Sequence, residues 1–175
     1  MTDTLLSILT DAEVERLRDG YEYATLRTGF QRALYAPYAP GAAWVAAQVD
    51  HFYEVEAIDA PPLDLSQDPE APFARTTALR PQDRERILIG LLAPEGGRAL
   101  AIHLYWGLAL GLPRLEVVDI LFLAGTYTGV KAYNRALGVA ADTFKALAEL
   151  ARSAGDEGPI PSAAALQALA AAFPD

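Results

Sequence analysis

The chain has 175 residues, of which 52% are hydrophobic and 21% charged, and its formal net charge is −9. This length and composition favour one compact globular domain over a disordered chain. The negative charge argues against nucleic-acid binding, and the absence of cysteine excludes disulfides, thiolate nucleophiles and thiol peroxidase chemistry.

No targeting or membrane-spanning pattern stands out in the sequence. Residues 1–9 contain Asp3 and no basic residue, unlike a signal peptide. The most apolar stretch, residues 99–112, contains His103 and is too short to cross a bilayer. We therefore expect a cytoplasmic protein without membrane contact. Because the chain has two histidines, we do not expect a multi-histidine metal site.

The first clear helix signal is a capping box, in which Thr10 precedes Glu13 by three residues. Val14 and Leu17 follow at helical spacing and place apolar side chains on one face. The pattern predicts a helix that runs to about Tyr35.

Proline and glycine at residues 37–41 end this pattern, and a second predicted helix carries His51 and Glu54. These two residues resemble half of a carboxylate metal site, but the further Glu and His pairs of a complete site are absent. We interpret them as a solvated or structural pair. A proline-rich connection follows from residue 59, so residues 1–80 are predicted to form an N-terminal helical extension.

Four helices are predicted after Pro81, over residues 82–93, 98–110, 113–128 and 130–153. We expect residues 81–154 to form a helical core. Residues 155–175 are predicted to form a docking helix with Ser162 as its N-cap, too short to be stable alone. The chain as a whole is predicted to be an all-α bundle of about six to eight helices.

Four sequence features follow one another between residues 84 and 144. They are Glu85 near the start of a helix, His103 with Gly111 eight residues later, the acidic stretch from Glu116 to Asp119, and Tyr127-Thr128-Gly129 followed by Asn134. In order and spacing they resemble the carboxymuconolactone decarboxylase family, relatives of the helical alkylhydroperoxidases. The resemblance covers about 60 of the 175 residues and implies an alkylhydroperoxidase-like helical bundle.

The resemblance also implies a branch of that family. The peroxidase branch has a Cys-x-x-Cys pair just before the histidine, where this chain has Gly96-Gly97-Arg98. The decarboxylase branch keeps the histidine without the cysteines, as this chain does. The chain departs from the family pattern at two positions, and these departures leave the substrate open. Pro113 stands where the family prefers Thr, and Lys131 stands where it prefers Pro.

His103 and Glu85 are the candidate catalytic residues. A histidine on an apolar helix face is suited to proton transfer near neutral pH, and antiparallel packing of the two helices would bring Glu85 beside it. His103 could equally be a core histidine bonded to a backbone carbonyl. An acidic residue in a first turn is commonly a solvated partner of the helix dipole, so the burial of Glu85 distinguishes the two interpretations.

Candidate substrate-binding residues lie around this pair in the sequence. Trp106, Tyr127 and Asn134 are suited to line a pocket for a small ring, although aromatic residues at helical spacing are often core. Arg98 and Lys131 are suited to bind a carboxylate, although such side chains commonly lie at the surface.

Two functions from different classes remain open. One is a carboxy-lyase-like enzyme that performs cofactor-free acid/base chemistry, a decarboxylation or isomerisation, on a small carboxylated lactone or ring. The other is a non-catalytic oligomeric binding or interaction module of the same fold. The family resemblance implies a homo-oligomer in either case, a dimer, trimer or hexamer.

Overall fold

The computed structural model describes residues 2–23, 25–26, 79–155 and 158–174. This part of the chain contains no strand and has seven helices, which confirms the all-α prediction. They are α1 (Thr2–Leu6), α2 (Asp11–Asp19), α3 (Pro81–Leu92), α4 (Gly97–Ala109), α5 (Arg114–Thr128), α6 (Val130–Ser153) and α7 (Ser162–Ala172). The predicted helix with His51 and Glu54 lies outside the described residues.

Contacts between backbone positions divide the chain into two compact units. One combines residues 1–22 with residues 85–175, and the other consists of residues 23–84. The first 22 residues therefore pack with the helices after residue 85, whereas the sequence-based division assigned them to an N-terminal extension. In the second unit, Arg80 forms an ion pair with Asp83 at the start of α3.

Helix α2 begins with the predicted capping box. The hydroxyl of Thr10 accepts from the Glu13 backbone N–H at 3.2 Å, and the Glu13 carboxylate accepts from the Thr10 backbone N–H at 2.7 Å. The predicted length is wrong, because the helix ends at Asp19 and not near Tyr35. At its end the carbonyl of Arg16 accepts from Gly20 and also from Ile160, a bond to another part of the chain.

Gly20 makes this close approach possible. A Cβ at residue 20 would lie 2.0 Å from the carbonyl oxygen of Ile160, far closer than van der Waals contact allows. The Gly20 carbonyl in turn accepts from the Ser162 N–H at 3.1 Å. The backbone before α7 thus binds directly to the end of α2, and the C-terminal helix is fixed to the N-terminal part of the unit.

Ser162 is not the N-cap of α7, as the sequence predicted. Pro161 occupies that position, and Ser162 is the first residue of the helix. Its buried hydroxyl accepts from the Glu22 backbone N–H at 2.8 Å and from the Tyr105 hydroxyl at 3.0 Å. The side chain therefore joins three elements and does not cap its own helix.

Helix α4 is the central helix of the unit. Every residue from Leu100 to Ala109 is buried, so the helix has no solvent-facing side along this stretch. It packs against α2, α6 and α7. In the part of the chain that the structure describes, no helix is long and apolar enough to cross a membrane.

Helices α5 and α6 form a closely packed pair. Gly125 faces the ring of Tyr133, where a Cβ would lie 2.5 Å from the tyrosine Cβ. Gly129 separates the helices with φ of 97°, a conformation that side chains other than glycine rarely adopt. The predicted bounds of α6 are confirmed, and α7 docks on α6 and α4 as expected for a short helix.

Gly20→Ala is expected to lower the free energy of unfolding by about 3 kcal/mol, because the added methyl group overlaps the backbone carbonyl of Ile160, a residue whose N–H donates to Arg16. Gly138→Ala is the matched control. Gly138 lies inside α6 with open space around it, so the same change should stabilise by up to about 1 kcal/mol. Urea unfolding of both variants measures the difference, and equal midpoints would contradict the packing described.

Candidate functional site

A buried carboxylate and a buried imidazole meet between α3 and α4. The Nδ1 atom of His103 lies 2.8 Å from Oε2 of Glu85. The side chain of His103 is 1% exposed and that of Glu85 0% exposed. Glu85 is therefore not the solvated dipole partner of the alternative interpretation.

A second contact lies one helical turn from this pair. A Cβ at Gly107 would lie 3.2 Å from Cδ1 of Ile89, so the missing side chain leaves room for α3 to approach α4. Glu85 and Ile89 are four residues apart, as are His103 and Gly107. The antiparallel packing of the two helices stays a prediction.

Trp106 supports the other side of the pair. Its ring plane lies within 5° of the His103 ring plane, with the centroids 6.0 Å apart. Its indole N–H donates to the Tyr21 hydroxyl at 2.8 Å, and the side chain is 0% exposed. The tryptophan is held by stacking at one end and by a hydrogen bond at the other.

One proton arrangement of this pair suits acid/base chemistry. When Glu85 is ionised its carboxylate only accepts hydrogen bonds, and Nδ1 of His103 is then the donor. In a neutral ring, Nε2 then holds a lone pair and acts as the basic atom. A carboxylate at Nδ1 also stabilises the ring after Nε2 takes up a proton. The arrangement is thus suited to general acid/base chemistry at Nε2.

Arg98 stands in the first turn of α4, half-buried and five residues before His103. Side chains five residues apart point about 140° apart around a helix, whereas those three or four apart share a face. Its predicted role in binding a carboxylate stays a prediction.

The other predicted substrate-binding residues are at the surface. Tyr127 is 85% exposed near the end of α5, and Lys131 and Asn134 are exposed in the first turns of α6. Of the predicted site residues, the structure brings together Glu85 and His103 with Trp106. Asn134 instead lines a separate groove.

The site residues predicted from the sequence did not include two tyrosines that the structure places around α4. They are Tyr21, which binds Trp106, and Tyr105, which is fully buried and binds Ser162. Burial raises the pKa of Tyr105, the Ser162 hydroxyl opposes this in part, and the Glu22 carboxylate raises it further. Glu22 lies 83 residues from Tyr105 in the sequence, so local patterns could not identify this network.

The described residues contain no group of three or more His, Cys, Asp or Glu side chains that could hold a metal ion. Comparison with protein-family models, curated proteins and solved structures finds no match for the chain. Membership of the carboxymuconolactone decarboxylase family therefore stays a prediction from the residues named above.

Glu85→Met is expected to lower the free energy of unfolding by about 3 kcal/mol, because a buried imidazole loses its charged partner. His103→Leu should cost at least as much, because it leaves the carboxylate without that donor. The double variant should recover most of the loss, since an apolar pair replaces both polar groups. Urea unfolding of all three variants completes the cycle.

Glu95→Met provides the control for this cycle. Glu95 is exposed in the turn after α3, so the change should stay within about 0.5 kcal/mol. Strictly additive effects of the two single substitutions would contradict a direct interaction between Glu85 and His103.

Proposed function

We propose that the Glu85–His103 pair performs cofactor-free acid/base chemistry on a small carboxylated lactone or ring. The observation that carries this proposal is the 2.8 Å contact between two fully buried ionisable side chains. Buried ionisable groups in contact occur at functional sites as well as in structural ion pairs. The similarity to cysteine-free carboxymuconolactone decarboxylases supports the same reaction class.

In the proposed decarboxylation the bond between the ring carbon and the carboxylate breaks. Carbon dioxide leaves, and the electron pair moves into the conjugated lactone. His103 then donates a proton from Nε2 to a ring carbon of this enolate and is restored by solvent. Glu85 stabilises the protonated ring through Nδ1. The step is redox-neutral and needs no metal.

A second candidate is a non-catalytic module, and the packing of Trp106 favours it. The indole lies against His103 and is fully buried, as a filled site would be. A substrate reaches the 1% exposed ring of His103 only through an opening in this packing. In the module the Glu85–His103 pair serves to hold α3 on α4.

His103→Gln is expected to reduce release of carbon dioxide from a panel of carboxylated lactones by at least about a hundredfold, because glutamine cannot transfer the proton. Circular dichroism melting checks that the variant folds. Gly138→Ala, with its change in open space on α6, is the control and should keep full activity. Equal turnover by His103→Gln would contradict the catalytic role, and a folded wild-type protein without turnover would favour the module.

We also propose a homo-oligomer that forms through an exposed apolar face of α3 and α5. The face is defined by six side chains, each 47–85% exposed: Ile87, Leu91, Leu115, Phe122, Leu123 and Tyr127. The ion pair between Arg86 and Glu116 joins the two helices. Each partner of a stable dimer buries about 800 Å² of its surface. The six exposed apolar side chains would supply part of that area.

Leu123→Asp is expected to lower the mass of the assembly to that of the 18.8 kDa monomer, because it buries an unpaired charge in the interface. Light scattering after gel filtration measures the mass and distinguishes dimer, trimer and hexamer. Gln167→Glu adds the same charge at an exposed position of α7 and should leave the mass unchanged. A wild-type protein that is monomeric at micromolar concentration would overturn this proposal.

A further inference from the structure

A groove separate from the Glu85–His103 pair runs between α1, α5 and α6. Its volume is about 510 Å³, inside the roughly 300–1,000 Å³ that small-molecule sites occupy. Apolar side chains form its walls: Leu5, Ile8, Val118, Leu137 and Ala141. A ligand that fills it must therefore have an apolar body.

The groove is elongated because its α6 side is a single stripe. Asn134, Leu137, Ala141 and Lys145 succeed one another at spacings of three and four residues along one helix face. The first and last of them are eleven residues apart, which corresponds to about 17 Å along the axis. This length suits a linear chain better than a single small ring.

The two ends of the groove differ in chemistry. At one end lies Tyr133, whose ring packs edge-to-face on Phe122 with centroids 5.8 Å apart. At the other end lies Lys145, the cationic side chain of the lining. An apolar tail suits the aromatic end, and an anionic head suits the lysine.

Lys145 retains the capacity to bind an anion. Its ammonium group is 3.2 Å from a carboxylate oxygen of Asp142, and both side chains are more than half exposed. An ammonium group has three N–H donors, so one contact with Asp142 leaves donors for a ligand. In a chain with net charge −9, an anionic ligand depends on such a local cation.

We propose that this groove binds an elongated fatty carboxylate, with a chain of about twelve carbons along α6 and its acid group on Lys145. This site is independent of proton transfer at His103. Each further methylene buried should improve affinity about fourfold until the chain exceeds the groove.

The chain contains two lysines, and this allows a direct test with dodecanoate as the probe. Lys145 and Lys131 are both exposed and both lie on α6, but only Lys145 lines the groove. Acetylation followed by mass spectrometry should show slower modification of Lys145 in the presence of dodecanoate. The rate at Lys131 should not change.

Calorimetric titration provides the second readout. Lys145→Ala should weaken dodecanoate binding roughly fivefold, whereas the matched variant Lys131→Ala should bind like the wild type. Dodecanol, which lacks the charge, should bind the wild type with the weaker affinity of the Lys145→Ala variant. Octanoate should bind more weakly than dodecanoate by about two orders of magnitude.

Three results would overturn the proposal. They are the absence of saturable dodecanoate binding, equal affinity of Lys145→Ala and wild type, and equal protection of both lysines. The last two would indicate nonspecific adsorption of the amphiphile. Because Lys145 is 58% exposed, its replacement should leave the fold intact, and a melting curve checks this.

Discussion

The structure depends on how helix α4 satisfies its polar groups although it is buried on every side. His103, Tyr105 and Trp106 place three polar side chains within four consecutive residues of that helix. An unpaired buried polar atom costs about 1–3 kcal/mol, so each needs a fixed partner. The partners come from three different elements: Glu85 on α3, Tyr21 after α2 and Ser162 at the start of α7. Helix α4 thereby fixes the positions of its neighbours.

The same burial governs the chemistry of the candidate site. A carboxylate and an imidazole 2.8 Å apart interact more strongly away from water than at the surface, so Glu85 holds the His103 ring in one orientation. Burial also limits access to that ring. The groove beside Lys145 has an exposed rim and lies on other helices, so ligand binding there and proton transfer at His103 are separable properties.

Two local signals were outweighed by long-range contacts. The apolar spacing after Thr10 suggested a long helix, but the carbonyls at the end of α2 bind backbone groups near residue 160. Ser162 has the side chain of an N-cap, but its hydroxyl binds Glu22 and Tyr105. In both cases hydrogen bonds from distant residues replaced the bonds that local sequence would predict, because a buried polar group takes the partner that packing brings to it.

The sequence by itself determined the helical class, the capping box at Thr10, the bounds of α6 and the exclusion of thiol chemistry, because these depend on residue types and on neighbours within one or two turns. It also marked Glu85 and His103 as candidates. Only the tertiary structure decided that they touch, that Trp106 stacks on His103, and that Asn134 belongs to another groove. Those contacts depend on how helices pack, and packing is set by side-chain volumes and backbone approach across the whole unit, as at Gly107.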